Sequence, residues 1–392
     1  EQTELKMDLG WIISSITPQP DDWYVHQGRM PIGMCIEAGG QPALVLLSRA
    51  GVDQQNAGRR MFRLLNFRGV LHAALPAAGE RLEFRTQLTG DTTFGSARLI
   101  TFASEALRDG YPVMEVDWAK AGFFTEEELA SSHGIGWHPS DYTLSDQARR
   151  DPTPNASQRR TFDRNQVRAL AEGRPSDCFG ADFGAPETPA PLHPNPDGRF
   201  WHEVEAFEPH GGAFGHGLLR TMGYYDPSDW VFDAHFLNDP CLPGTLMSEG
   251  CMQAVGFLMT ALGLTHDYPG ARFEPVRGQG FECVCRGQVT RDTRCSAYEV
   301  HVQEIYHDPL PVVQVSLIAW ADDLPIFMCE RFGMTLIFDD VQAALAPQLS
   351  TPGGMAGLRL IHHRHARHGQ APWRPTHAPR LLPPSNVVQP VT

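Results

Sequence analysis

The chain has 392 residues, 42% hydrophobic and 20% charged, the balance of a soluble globular protein with ample core, and two domains are the natural expectation for that length. A formal net charge of −14 argues against nucleic acid or an anionic membrane as a partner held through a broad basic field. No apolar run approaches the roughly 20 residues that span a bilayer, and no charged-then-apolar leader opens the chain. Eight cysteines, several inside apolar runs and none in a CxxC pair, fit a reducing cytoplasm better than a disulfide framework. The missing initiator methionine and the Pro-rich end "LLPPSNVVQPVT" suggest a piece of a longer polypeptide.

In chain order, "PIGMCIEAGGQPALVLLSRA" from Pro31 to about Ala50 reads as an apolar helix, although its glycines and Pro42 work against one. Strands are expected at 81–90, 96–107 and 112–124, where β-branched and aromatic residues lie between Gly, Asp and Pro turns. From about 130 to 196, Pro, Ser and Asp dominate, and this stretch reads as a linker laid over the surface with one short helix at Arg164 to Glu172. Its arginines, Arg149, Arg150, Arg159, Arg160 and Arg164, form the one basic cluster of an acidic chain. A second block then repeats the order: "FWHEVEAFEP", "GLLRTMGYYD", a helix from Pro243 to Gly263, and strands near 279–289, 296–306, 312–321 and 326–338.

The two blocks agree in detail. Met30-Pro31 with Glu37 and Gln41 is matched by Leu242-Pro243 with Glu249 and Gln253 at a constant offset of 212, and Asp22-Trp23 by Asp229-Trp230 at 207. A duplication explains this, and the five-residue difference falls between Trp23 and Pro31, where the first copy lacks the segment that carries His235. The expected organisation is a first domain over 1–130, the linker over 131–196, a second domain over 197–340 and a Pro/His-rich tail over 341–392. Two long helices, each followed by antiparallel strands, predict an α+β fold in which a sheet wraps a central helix, made twice and paired. Burial explains the apolar helices but not Glu37 or Glu249.

Chemistry concentrates in "AHFLNDPCLPGTLMSEGCMQAVGF". Proline suits the first helical position, the N–H groups of that turn are unpaired, and Gly244 can present one of them to a carbonyl oxygen at the positive end of the helix dipole. His235 lies just upstream and can take a proton from the carbon beside that carbonyl, while a carboxylic acid in apolar surroundings can protonate a leaving hydroxyl. Together these make a 3-hydroxyacyl dehydratase. A residue six places after the proline need not face its own histidine, but a paired copy can supply the acid.

The segment from His235 to Phe257 resembles the active-site segment of the β-hydroxyacyl-thioester dehydratases of the hotdog fold, the β-hydroxydecanoyl type in particular. With "DDWY", "LAEGRPSDCFG", "DPSDWVFDAHF" and "FECVCRGQV", most of 1–340 resembles the tandem-hotdog dehydratase regions of polyunsaturated fatty acid synthases and related iterative polyketide synthases. The resemblance implies a double hotdog whose catalytic histidine and acid come from opposite copies. Carried across, His235 is the base, Glu37 the acid, Gly244 the helix-start N–H that binds the thioester carbonyl and Gln41 the residue that orients the acid. Glu249 and Gln253 then belong to a vestigial second site without a histidine, weakened further by Ile32 where a glycine should follow Pro31. The resemblance also implies a substrate carried on the phosphopantetheine of an acyl carrier protein, other synthase domains as partners, a cytoplasmic setting, and no metal or redox cofactor. A homodimer is compatible with it. Glu37 stands where the β-hydroxydecanoyl enzymes have aspartate, which suits dehydration and leaves their isomerisation open.

Two other classes stay in view: a hotdog thioesterase using the same tunnel, and a non-catalytic scaffold that dimerises a synthase. His26 is a substitute for the lost histidine at the wrong spacing, and Glu249 reads otherwise as a buried acid satisfied by Gln253. Asp239 and Pro240 are expected to shape their turn, Asp239 by accepting backbone N–H groups. "EPHGGAFGHG" (208–217) reads as a loop at the tunnel mouth, "HHRHARH" (362–368) as an exposed basic segment, Cys283 and Cys285 as buried on one strand face, and the linker arginines as either a carrier-protein contact or a solvated face.

Overall fold

The computed structural model describes residues 3–5, 11–49, 51, 59–94, 97–138, 143–184, 187–307 and 309–339. The first copy contains β1 (Thr3–Leu5), β2 (Trp11–Ile16), α1 (Ile32–Arg49), β3 (Met61–Leu71), β4 (Leu82–Phe94), β5 (Ala97–Arg108), β6 (Tyr111–Phe124) and the short α2 (Glu126–Ala130). Two short helices follow, α3 (Arg164–Ala171) and α4 (Pro175–Phe179). The second copy contains β7 (Glu203–Glu208), β8 (Leu218–Tyr224), α5 (Trp230–Ala234), α6 (Gly244–Ala261), β9 (Arg272–Pro275), β10 (Gly280–Cys285), β11 (Cys295–His307), β12 (Pro311–Ala321) and β13 (Leu324–Ile337).

The strands form one 13-stranded sheet in the order β1-β4-β5-β6-β3-β10-β13-β12-β11-β8-β7, with β2 on β4 and β9 on β13. The order 4-5-6-3 of the first copy returns as 11-12-13-10 in the second, and the halves join antiparallel at β3 and β10, with Gly280 opposite Val70 and Val284 opposite Asn66. Each half curls over its own helix, α1 or α6, and the two helices pack against each other. This is the hotdog arrangement made twice, and both copies fall within one unit, Glu1–Ala344.

Close approach of the helices sets their sequence. A Cβ at Gly33 would stand 2.9 Å from the Thr245 carbonyl oxygen and from the Glu249 Cβ, and one at Gly39 would stand 2.6 Å from Ser104 Oγ on β5. Helix α1 runs through Pro42 despite the lost N–H donor, because its apolar side, with Ile36, Ala43, Leu46 and Leu47 buried, is held by the sheet. Every residue of α6 is buried except Gly244 and Glu249. Such burial accounts for the nearly continuous apolar run there.

Strand β3, "MFRLLNFRGVL", was not among the expected strands, because Arg63, Asn66 and Arg68 interrupt its alternation. It is the seam strand, paired on one edge with β6 and on the other with β10. The segment expected to lie as a linker over the surface proves instead to be part of the core. Phe162, Val167, Leu170, Cys178, Phe179 and Leu192 are buried, and the rings of Phe162 and Phe179 each stand 5.1 Å from Phe257 of α6. The physical reason is that α6 is apolar all round, so the face its own strands leave open needs an apolar cover. The helix expected at Arg164 to Glu172 is α3, started by a capping box between Asp163 and Gln166.

Phe179→Ala should therefore cost about 3 kcal/mol, the usual range for a buried aromatic, read as a lower midpoint in chemical denaturation. A residue of a surface linker would change stability by less than about 0.5 kcal/mol, and that outcome would return the segment to the surface.

Candidate active site

The chain leaves α5 at His235, whose N–H still bonds to Val231 O at 3.1 Å. A tight turn follows, with Phe236 N–H on Asp239 O at 3.0 Å and Cys241 N–H on His235 O at 2.7 Å. His235 Nδ1 lies 2.9 Å from the Cys241 carbonyl oxygen. A carbonyl only accepts, so Nδ1 carries the hydrogen and Nε2 is left with its lone pair.

Asp239 does not bond its own turn as expected. Its carboxylate takes both arms of Arg63, Nη1 to Oδ2 at 2.5 Å and Nη2 to Oδ1 at 2.6 Å, while Arg63 Nε donates to Gln288 Oε1 at 2.7 Å. Arg63 belongs to β3, so the first copy clamps the histidine-bearing turn of the second. A buried fork of this kind is specific in geometry, and removing one partner typically costs about 3–5 kcal/mol.

Pro243 caps α6, and its carbonyl accepts from Leu246 and Met247 at 3.0 and 3.2 Å. The N–H groups of Gly244 and Thr245 therefore lie ahead of the helix's own bonding ladder. From the facing helix, Glu37 Oε2 accepts the Thr245 hydroxyl at 2.7 Å and Oε1 accepts Gln41 Nε2 at 3.1 Å. His235, Glu37, Gln41 and Gly244, all singled out in the sequence, line one cleft. Ile36, Leu44, Phe67 and Phe102 make its far walls apolar. Sequence reasoning missed Thr245 and Arg63. The repeat offers a signal for the first, since Thr245 follows Gly244 at the helix start and is the mate of Gly33.

The mate of this cleft is lined by Pro31, Ile32, Glu249, Met252, Gln253 and His26 among others. Gly33 N–H donates to Glu249 Oε2 at 3.2 Å. Loss of hydration pushes the Glu249 carboxyl up to about 7, against the pull of that N–H. Gln253 does not satisfy Glu249 as expected: its Nε2 donates to Gly198 O at 2.7 Å and its Oε1 accepts from Phe200 N–H at 3.4 Å, holding the approach to β7. His26 reaches this cavity, but its Nε2 is tied to Ala190 O at 2.8 Å and burial lowers its pKa to about 4, keeping it neutral. Its Nδ1 is buried with no hydrogen-bond partner among the described residues. The second cavity thus has an acid and a helix start but no counterpart of the His235 turn.

The remaining motifs lie elsewhere. Four of the five linker arginines are occupied: Arg149 by Asp151, Arg150 by the carbonyls of His216 and Pro209, Arg160 by Ser157 O, and Arg164 by Glu203. The 208–217 loop lines neither cavity, and His216 bonds to Gln303 O rather than guarding a tunnel mouth. Cys283 and Cys285 are buried on one face of β10, and Cys285 also borders the cleft. The "HHRHARH" segment and the expected tail lie outside the described residues. Among the described residues no group of three or more His, Cys, Asp or Glu is placed to hold a metal ion, and no helix is long and apolar enough to cross a membrane.

Fold and site together define a double hotdog with one composite cleft, lined at a helix start by a histidine from one copy and a glutamate from the other. Residues 194–330, nearly the whole second copy, match the FabA-like domain family. One of the subunits of the polyunsaturated fatty acid synthase of Thraustochytrium sp. is 29% identical over 306 residues, which cover 74% of this chain and 20% of that protein, so the chain spans about a fifth of that relative. Among solved structures, a protein of Lactobacillus plantarum provisionally described as an oleoyl thioesterase covers 84% of this chain and 98% of its own, at 8% identity and a TM-score of 0.46. A MaoC-like dehydratase covers 71% and 76%, at 13% identity and a TM-score of 0.34.

The Glu249 carboxyl gives a pH prediction. Its folded value of about 7 lies above the ordinary 4.5, so between those values the folded protein keeps a proton that the unfolded chain has lost. Stability from this group is therefore full below about 4.5 and falls as pH rises to about 7. Glu249→Gln, which can still accept from Gly33, should gain stability on the order of 3 kcal/mol at pH 8 relative to pH 4. Denaturant titrations of both proteins at the two pH values measure it, and an equal effect at both would mean that folding leaves the Glu249 carboxyl at its ordinary value.

Proposed function

We propose that this chain removes water from a 3-hydroxyacyl thioester to give a trans-2-enoyl thioester. The observation that carries this reading is that His235 of the second copy and Glu37 of the first line the same cleft at the start of α6. With the thioester carbonyl accepting the Gly244 N–H, the dipole of α6 stabilises the enolate that forms. His235 Nε2 takes the proton from Cα, the electron pair becomes the Cα–Cβ double bond, and the Cβ–O bond breaks as Glu37 delivers its proton to the departing hydroxyl. Water leaves, and the proton on His235 returns to Glu37 through solvent. Gln41 and Thr245 hold the acid's two oxygens, and Arg63 holds the base's turn through Asp239. The match to part of a much longer synthase polypeptide supports a substrate delivered on the phosphopantetheine of an acyl carrier protein, with other synthase domains as neighbours in the cytoplasm. Because the double hotdog is its own pseudo-dimer, this reading needs no second copy of the chain.

One observation favours a second reading. Both Glu37 oxygens accept hydrogen bonds, as those of a water-activating carboxylate would, so the same cleft suits thioester hydrolysis. The Thr245 hydroxyl can rotate to accept from a protonated Glu37, which keeps dehydration first.

Incubation with a 3-hydroxyacyl pantetheine thioester separates these readings. The enoyl product followed by mass spectrometry is the expected outcome, and His235→Ala and Glu37→Ala should each reduce it by about a hundredfold or more. Release of free thiol without enoyl product would establish hydrolysis instead. Survival of Glu37→Ala beside loss in His235→Ala would show that Glu37 is not the acid. If carrier-bound substrate also gives no reaction in either direction, the chain is a scaffold.

A further inference from the structure

Helix α1 has two adjacent glycines that differ in kind. Gly39 is required by packing, since its Cβ would collide with Ser104 Oγ at 2.6 Å. Gly40 is not: a Cβ there would meet only Phe102 Cε2, at 3.9 Å, an ordinary contact. A glycine inside a helix costs about 1 kcal/mol relative to alanine, and nothing in the surrounding packing asks for one here. What lies beside Gly40 is the cleft, which it lines one turn beyond Glu37.

The repeat supplies an internal comparison. By the same offset that pairs Glu37 with Glu249, Gly40 pairs with Met252, a buried side chain that lines the matched cavity. The cleft beside Glu37 thus has glycine at this position where its mate has methionine. From Glu37 the open side continues along α1 to Leu44, two helical turns or about 10 Å, between Phe102, Val116 and Ala119 of the first-copy sheet. These walls are apolar apart from Ser104, whose hydroxyl accepts from Thr86 Oγ1. The volume beyond the reacting groups therefore lies in the copy that contributes the acid, while the copy that contributes the histidine has its matching position occupied.

We infer that Gly40 is the specificity-determining residue that opens the acyl tunnel into the first copy, and that the substrate carries an unbranched alkyl tail long enough to pass it. The tail runs beside α1 past Gly40 toward Leu44, with its carbonyl at Gly244. This rests on the dehydratase reading for the position of the reacting carbons, and on the geometry alone for the direction and depth of the tunnel.

The test compares kcat/KM for 3-hydroxydecanoyl and 3-hydroxybutyryl pantetheine thioesters in the wild-type chain and in Gly40→Met, the residue of the other copy. The decanoyl-to-butyryl ratio should fall about tenfold or more in the variant, since each methylene displaced from an apolar pocket is worth about that much. An unchanged ratio would overturn the inference. Gly40→Ala, which removes a helix-interior glycine and makes only ordinary contacts, should fold and shift the ratio in the same direction by less; its ratio decides if Gly40→Met does not fold. Binding of decanoyl and butyryl pantetheine amides by titration calorimetry separates this inference from the reading beneath it. A loss of decanoyl preference in Gly40→Met, with no turnover by wild type, would keep the tunnel and dismiss the dehydration; equal binding of both amides by wild type would dismiss the tunnel.

Discussion

A carboxylate that projects from a core helix toward a second, closely packed helix has little water to hydrate it, so its partners must come from protein. That constraint organises this molecule. Glu37 and Glu249 each project from the second turn of a core helix, and each is met by the first turn of the other helix, by the Thr245 hydroxyl in one case and the Gly33 N–H in the other. The glycine at 33 permits the helices to approach, and the approach allows either acid to be satisfied from the opposite copy. The pairing of the copies and the composite cleft, lined by a histidine from one and a glutamate from the other, follow from those crossed contacts.

The two crossings have diverged chemically. At Glu37 two side-chain donors hold both oxygens, and a histidine turn clamped by Arg63 stands across the cleft. At Glu249 a single backbone donor remains, the glutamine has been taken over by the chain entering β7, and the available histidine is tied to the intervening segment. Burial raises the pKa of Glu249 because nothing comparable to the Thr245 and Gln41 pair compensates for its lost hydration.

Much of this was legible in the sequence, and what was missed has a common cause. The two apolar helices, the strands that alternate, and the matched Pro, Glu and Gln positions are local or periodic signals, and they led to α1, α6 and the four cleft residues. Strand β3 was hidden because its polar residues break the alternation and gain partners only on folding, Arg63 from Asp239 of the other copy and Arg68 from Asp117 of β6. The segment around Phe162 and Phe179 was hidden because its Pro and Ser content describes its backbone, whereas its few aromatics decide where it packs. Thr245 and Asp239 illustrate the same limit: an ordinary threonine in a first turn and an ordinary aspartate in a tight turn gain their partners only when the two copies meet.

Strand β10 has one further consequence. Its inward residues Phe281, Cys283 and Cys285 are buried, and its free edge is covered by β3 of the first copy. Residues 194–330 hold the complete histidine and helix-start motif, yet cut out alone they would present that edge as an unsatisfied template for any passing strand. The first copy is therefore a built-in solubiliser of the second as well as the source of the glutamate that faces its helix start. Recombination between such regions would succeed only where both copies are exchanged together.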